Sequence, residues 1–308
     1  MNVFLCQYRT FFNRLEVRIA FTAGLMSIIL FRLNTAEIRN NLLQFDLNIA
    51  VAMLLMNFLG LLLFARRWQW IAAGLNIIIP FSHLLRSIWL AAFFGQFGPT
   101  MIASEITRYQ LVRNYADSRT IIVSQVLDRA SGQIVLFLMI VLLLPVYYWL
   151  GIVPEGNKFV SLYAGLFVFL LIVIPLYRKY KNWFPADSKI FMQIQRVLKS
   201  PGHYCLSLLI QFLLVINFCM AAQGFGYLEN TLLFIILLPL VFGAITLLPI
   251  TVADWGTRET TALIFLAPTG LSAESIVSIS IVYGIFTLLI SLAGGFLLLD
   301  RSLQRRKS

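Results

Sequence analysis

The sequence predicts an all-α, polytopic helical membrane protein of six to eight transmembrane helices, with two broken or re-entrant segments and an inverted repeat. Its 308 residues are 60% hydrophobic and 12% charged, with a mean hydropathy of +0.85. That is more apolar surface than one globular core buries in water. A ten-residue stretch also occurs twice, as Pro99-Thr-Met-Ile-Ala-Ser-Glu-Ile-Thr-Arg108 and, 150 positions on, as Pro249-Ile-Thr-Val-Ala-Asp-Trp-Gly-Thr-Arg258. The copies share Pro, Ala, Thr and Arg, and each holds an acid shortly before the Thr-Arg pair. Each follows an irregular hydrophobic stretch and precedes a long apolar one, as in internally duplicated carriers. The chain therefore reads as one transmembrane domain, 1–308, with halves of roughly 1–150 and 151–308.

The elements follow in order. A short first span, residues 17–32, follows Arg9, Arg14 and Arg18 in the manner of an uncleaved signal anchor. Asn34 to Asp46 reads as an interfacial helix. The second span, Leu47 to Ala65, ends at Arg66-Arg67-Trp-Gln-Trp70, a basic and aromatic anchor suited to the cytoplasmic interface. Ile71 to Phe97 is broken by Pro80 and reads as a re-entrant hairpin, with a kinked full span as the other reading. Ile121 to Trp149 and Phe159 to Tyr177 are spans. The basic segment Arg178 to Lys199 contains an amphipathic stretch, Ile190 to Leu198, and Tyr204 to Ala222 spans again. Thr231 to Leu248 is interrupted by Pro239 and Gly243 and reads as the second re-entrant segment, and Ile276 to Leu299 is the last span.

Loop charge orients this scheme, because positive loops stay cytoplasmic. Counting Lys/Arg minus Asp/Glu, residues 1–18 carry +2, 66–119 carry +4, 178–199 carry +5 and the tail from 300 carries +3. Residues 33–46 carry −1, 151–158 carry 0, 223–230 carry −1 and 251–275 carry −2. Six full spans with two re-entrant segments entering from opposite faces satisfy every sign and put both termini in the cytoplasm. Three spans then separate the two copies, which makes them inverted. An eight-span arrangement, with 71–97 or 257–270 counted as crossings, is the rival. The net charge of +11 is placed at span ends, where it meets anionic head groups, so no nucleic-acid partner is implied.

Ionisable groups at membrane depth are functional candidates by default. These are Arg86, Glu105, Arg108, Asp128, Arg129, Asp254, Arg258 and Glu259. Glu105 and Arg108 are three apart and Asp254 and Arg258 four apart, so on helices each couple can pair. One reading makes them structural ion pairs; the other has Arg108 and Arg258 bind a lipid phosphate from opposite faces of one cavity, since the guanidinium fork matches phosphate oxygens. Pro80, Pro99, Pro239, Pro249 and Gly256 are the expected helix breakers. There is no HExxH, GxSxG or Walker A motif and no Asp/Glu/His cluster for a metal. No catalytic residue, cofactor or metal is expected. Cys6, Cys205, Cys219, His83 and His203 have no ligand spacing and read as isolated residues.

Arg67-Trp68, the Pro99 to Arg108 stretch, Asp128-Arg129 and Leu248-Pro249 with Gly256-Thr-Arg258-Glu259 together resemble the transmembrane domain of lysylphosphatidylglycerol synthases. That domain also exists alone in flippase-like membrane proteins of bacteria and archaea. The family pattern before the first Arg is usually Gly-Gly-Asp, where this chain has Ala103-Ser104-Glu105. Before the second it is Gly-Gly-x-Gly, where Ala253 and Asp254 replace two glycines. The resemblance covers the membrane part without the soluble aminoacyl-transferase domain, which implies handling of a lipid without its synthesis. The expectation is a carrier for an anionic lipid, phospholipid or polyprenyl-phosphate-linked glycan, in a prokaryotic cytoplasmic membrane. A non-catalytic subunit that scaffolds a lipid-linked glycosyltransferase or other cell-envelope enzyme is the alternative.

Overall fold

The structure, a computed structural model, describes residues 19–97, 100–149, 189–247 and 251–299. Within them the chain is helical, as the apolar periodicity requires. Helix α1 (Ile19–Arg32) bends by 94° into α2 (Thr35–Leu43), whose N-terminus Asn34 caps by accepting from the Ala36 and Glu37 N–H groups. The polar stretch is thus a helix, as expected. Helix α3 (Leu47–Gly74) starts at the Asp46 cap and runs straight through Arg66 to Trp70. The expected end at Ala65 is therefore wrong. Arg67 and Trp68 are buried and find polar partners inside the protein, so nothing forces the chain out at that point.

A break at residues 75–80 separates α3 from α4 (Phe81–Gly95), which is followed by α5 (Thr100–Val112). The His83 ring hydrogen-bonds the Leu111 carbonyl at 2.9 Å, start of one helix to end of the other, so the two form an antiparallel hairpin. With 15 and 13 residues they reach about 22 and 20 Å at 1.5 Å per residue, short of a hydrocarbon core of about 30 Å. The expected hairpin over Ile71 to Phe97 is not the one formed: Ile71–Gly74 belong to α3, and the short hairpin is α4–α5. Pro80 stands at the mouth as the residue before α4, where a missing N–H costs nothing, and the tip lies between Gln96 and Thr100.

Helix α6 (Ser118–Trp149), α7 (Lys189–Lys199), α8 (Gly202–Gln223), α9 (Thr231–Leu247), α10 (Thr257–Leu266) and α11 (Ala273–Ala293) complete the described chain. Pro239 does not break α9, which continues through it as an unbroken 17-residue helix. Leu237, Leu238, Pro239, Leu240 and Val241 are all buried there, and packing on all sides holds the helix despite one lost hydrogen bond. Helix α10 packs back on α9, but the stretch Leu228–Leu247 is itself long and apolar enough to cross a membrane, so the expected second re-entrant segment is instead a candidate span. Residues 1–18, Pro99, Pro249, the expected span Phe159 to Tyr177, Arg178 to Ser188 and the tail from 300 lie outside the described residues. Among those described, five helices are long and apolar enough to cross a membrane, or six if the bent α1–α2 pair is one span. The chain is a multi-pass membrane protein.

Two large cores hold the bundle, and a small third one packs Ile29 and Ile38 against Val277. One joins α8, α9, α10 and α11 around Phe218, Phe234, Leu237 and Ile279, with Met53 of α3 and Leu136 of α6. The other joins the second half of α3 to α4, α5, α6 and α7 around Trp68, Ile71, Leu84 and Ile121. Outward faces stay apolar: Val51, Leu55 and Leu59 on α3 and Ile122, Val126, Ile134 and Leu138 on α6 are exposed at helical spacing, as lipid-facing stripes should be.

Connections gather at two ends. Asp46 N–H bonds the Gly224 carbonyl, Asn34 N–H bonds Glu274, and the Tyr227 and Ser275 hydroxyls meet; this end collects the neutral-to-acidic loops. At the other, Trp70 Nε1–H donates to Ser200, and α4 meets the chain after α11 through Arg86 and the Leu297 carbonyl. The α4–α5 hairpin opens and closes at this basic end; the α9–α10 hairpin does so at the acidic one. In a background free of native cysteines, Cys at Asn114 and at Lys199 should be labelled by an impermeant reagent from one side and Cys at Glu229 only from the other, with 114 and 199 cytoplasmic. Labelling of positions 114 and 229 from the same side contradicts this topology.

Candidate functional site

Asp128 projects from α6 toward α3 and α5 and is 2% exposed. Arg67 Nε donates to its Oδ1 at 2.8 Å and Arg108 Nη2 to its Oδ2 at 2.8 Å. Arg108 Nη1 donates to Glu105 Oε1 at 3.1 Å, and the same oxygen takes Arg129 Nε at 2.6 Å. The result is a continuous chain, Arg67, Asp128, Arg108, Glu105, Arg129, threading three helices. Three guanidiniums against two carboxylates leave one positive charge.

Each member is held by its surroundings. The Arg108 guanidinium lies 4.0 Å from the Trp68 ring centroid, and Trp68 is fixed by its hydrogen bond to Ser124 Oγ at 3.1 Å. Arg67 also reaches Ser207 Oγ at 3.3 Å, over Gly132 of α6, where a Cβ would sit 2.8 Å from Arg67 Nη1. Asp128 and Arg129 are adjacent, so they point about 100° apart on the helix. Asp128 therefore faces the interior while Arg129 reaches Glu105 and Ser104 Oγ, the latter at 3.0 Å.

The second copy builds a smaller cluster. Arg258 donates to Glu259 Oε1 through Nη2 at 2.9 Å and Nε at 3.1 Å. Ser280 Oγ donates to the same oxygen at 2.9 Å, and Glu259 Oε2 accepts the Gly256 N–H at 2.6 Å. Glu259 is fully buried and Arg258 is 5% exposed. The expected Asp254 to Arg258 ion pair is replaced by this one, since α10 begins only at Thr257 and Asp254 lies in the turn before it. Asp254 instead has Arg258 and, more weakly, Arg129 of α6 within electrostatic reach. Arg86 is apart from both clusters, donating to the Leu297 carbonyl at 3.0 Å.

The two copies differ in backbone. Residues 100–108 are helical, while Ala253 (φ 50°), Asp254 (φ 62°) and Gly256 (φ 83°) take left-handed conformations. Gly256 does end one path and begin another, as expected of a breaker; its counterpart Ile106 cannot adopt that φ without strain, so α5 runs on. Ala253 and Asp254 keep the conformation that glycine favours, so the turn survives the loss of its glycines.

Between α5 and α6 a groove of about 400 Å³ is lined by Glu105, Ile106, Tyr109, Gln110, Ile122, Gln125, Val126 and Arg129. Its polar row is fixed, with Gln125 Nε2 donating to the Glu105 carbonyl at 3.1 Å. Its walls, Ile106, Ile122 and Val126, are 51–61% exposed. The Arg129 side chain, 36% exposed, is far more open than those of Arg67 (5%) and Arg108 (8%). Sequence reasoning read Arg67 as an interfacial anchor and missed it as a site member, along with Trp68, Ser104, Gln125, Ser207 and Ser280. The Arg-Trp dipeptide was the available signal, but its partner Asp128 lies 61 residues away.

The family model for the lysylphosphatidylglycerol synthase TM region matches residues 15–295, nearly the whole chain. Neither curated proteins nor solved structures give a match.

Two substitutions test the clusters. Asp128→Asn leaves Arg67 and Arg108 buried beside a neutral partner, which should cost about 3–5 kcal/mol and sharply lower both the folded yield and the melting temperature in detergent. Gly284→Ala should also destabilise, by about 1–3 kcal/mol, because its Cβ would overlap the Arg258 guanidinium. Gly60→Ala, with nothing within 4 Å of the added carbon, should leave the melting temperature unchanged or slightly raised.

Proposed function

Since the chain belongs to the lysylphosphatidylglycerol synthase transmembrane-region family, we propose that it is a lipid carrier that moves an anionic lipid between leaflets without altering it chemically, in a prokaryotic cytoplasmic membrane. The α5–α6 groove carries this reading. It offers an accessible guanidinium beside buried polar groups while its walls remain apolar and open to lipid. A phosphate can enter with its acyl or prenyl chains still in the bilayer, which avoids most of the cost of burying an isolated anion in hydrocarbon.

The roles of the arginines follow from their partners. Arg108, first expected to bind phosphate, has two nitrogens committed to Asp128 and Glu105 and is read as a positioning residue that holds Glu105. Arg129 also donates to Glu105 and Ser104, but its side chain is 36% exposed against 8% for Arg108, and it is the phosphate ligand at the mouth. Arg258, buried and committed to Glu259 through two nitrogens, is by the same criterion a positioning residue that holds Glu259. Two hairpins that open at opposite ends support reading the halves as an inverted repeat, the arrangement in which carriers place substrate near the midplane. No scaffolding partner is required by this reading.

Reconstituted in liposomes, the protein should move labelled phosphatidylglycerol or a polyprenyl-phosphate-linked sugar faster than phosphatidylcholine. Arg129→Gln should lower that rate at least about tenfold, in line with loss of one charge-assisted contact, and Arg129→Lys should restore it only in part because the fork is lost. Ile122→Trp, which fills the groove wall, should slow movement without lowering the melting temperature. Equal rates for anionic and zwitterionic lipids, or no movement at all, would overturn the carrier reading.

A further inference from the structure

A recess of about 450 Å³ lies away from the α5–α6 groove, at the basic end of the bundle. It is walled by Arg66, Gln69, Trp70, Ala73 and Gly74 from the end of α3, Ile77 to Ile79 from the elbow before α4, and Arg196, Val197 and Ser200 from α7 and its end. A cleft of about 380 Å³ adjoins it, with Lys199 beside Arg196 and Ser200. Arg66, Arg196 and Lys199 are all exposed, and no carboxylate lines either space. The sequence reading treated Arg66 and Trp70 as membrane anchors and the α7 stretch as amphipathic, and the α5–α6 path uses none of them.

The recess is built, not a gap between loosely placed side chains. Helix α7 seats on α3 because Gly74 has no Cβ, which would stand 2.6 Å from Val197 Cγ2, and Gly202 leaves room for the Trp70 ring that it would otherwise overlap. Trp70 Nε1–H donates to Ser200 Oγ at 3.0 Å, Arg66 Nη1 to Gln69 Oε1 at 2.6 Å and Gln69 Nε2 to the Ile79 carbonyl at 3.4 Å. Arg66 and the exposed Arg196 thus line the recess together with Ala73, Ile77, Val197 and Trp70. Ile78, 89% exposed, continues the apolar surface outward.

Cations at the rim, an indole at interface level and an apolar floor that opens toward lipid match one ligand class. We infer that this recess holds the head group of an anionic phospholipid of the adjacent leaflet, with Arg66 and Arg196 on the phosphate and the Trp70 and Ile78 surface under the glycerol and first methylenes. A soluble acidic segment would leave that apolar surface wet. The site is separate from the α5–α6 groove, so it stands or falls independently of the transport reading.

The full-length protein in detergent, titrated with phosphatidylglycerol or phosphatidylcholine and read by native mass spectrometry, tests it, both as wild type and in an Arg129→Gln background that silences the groove. In both backgrounds Arg66→Gln with Arg196→Gln should weaken phosphatidylglycerol retention by about tenfold. Ile78→Glu should do the same by placing a carboxylate against the phosphate. Arg113→Gln, an exposed arginine at the same end but outside the recess, should bind like wild type. Retention of phosphatidylcholine equal to phosphatidylglycerol would overturn the site, as would an equal loss with Arg113→Gln. Equal binding of water-soluble glycerol 3-phosphate, or tighter binding of hexaglutamate than of lipid, would assign the recess to a soluble anion and overturn the lipid reading.

Discussion

Asp128 carries two short ion pairs inside a bundle with almost no other way to neutralise a charge, and much of the architecture answers to that constraint. A carboxylate at this depth costs several kcal/mol unless its oxygens are matched. Arg67 from α3 and Arg108 from α5 supply the match from two directions. The pairing fixes the rotation of α6, the depth of α5 and the continuation of α3 past Arg66. Trp68 then has a buried place against Arg108, and Arg129, one residue further round α6, is turned toward the groove. Removal of the central carboxylate leaves Arg67 without an ion partner and Arg108 with Glu105 alone, so the members of the cluster depend on one another.

What the sequence made legible was whatever a local pattern encodes. Hydropathy marked the long helices, and the polar run from Asn34 marked α2. The i,i+3 spacing of Glu105 and Arg108 anticipated their pair. Partnerships across the chain left no such trace. Arg66-Arg67-Trp-Gln-Trp70 has the composition of an interfacial belt, and only the distant Asp128 and Ser124 turn half of it into core. Pro80 and Pro239 looked like equal breaks, yet one precedes a helix and the other lies inside one, because tertiary packing and not the residue decides whether a proline ends a helix. Arg258 took its sequence neighbour Glu259 in place of Asp254 since the helix starts later in the second copy than the spacing rule assumed.

The unequal copies have a physical basis. A left-handed turn at residues 253–256 breaks the path before α10, whereas α5 is helical throughout the corresponding stretch. Helix α1 supports the turn: Thr22 Oγ1 accepts the Val252 N–H at 3.0 Å, and Leu25 lies against Gly256. The strain of two non-glycine residues at positive φ persists because the surrounding structure holds them there. One hairpin is therefore stiffened by a buried ion chain and the other by a braced turn, so the two sides need not respond alike to the same ligand.

The glycines beneath the arginines have a mechanical meaning. Gly132 admits the Arg67 guanidinium to the surface of α6 and Gly284 admits that of Arg258 to α11, so each side chain sits like a key in a slot cut at one height of a helix. A slide or twist of α3 past α6 by even one residue would bring a side chain where the slot was, and the key would jam. Such interfaces transmit motion as whole bodies and do not shear. The elbow at residues 75–80 and the turn at 113–117 carry no such key, but the hairpin they join is pinned to α6 through Arg108 and Glu105.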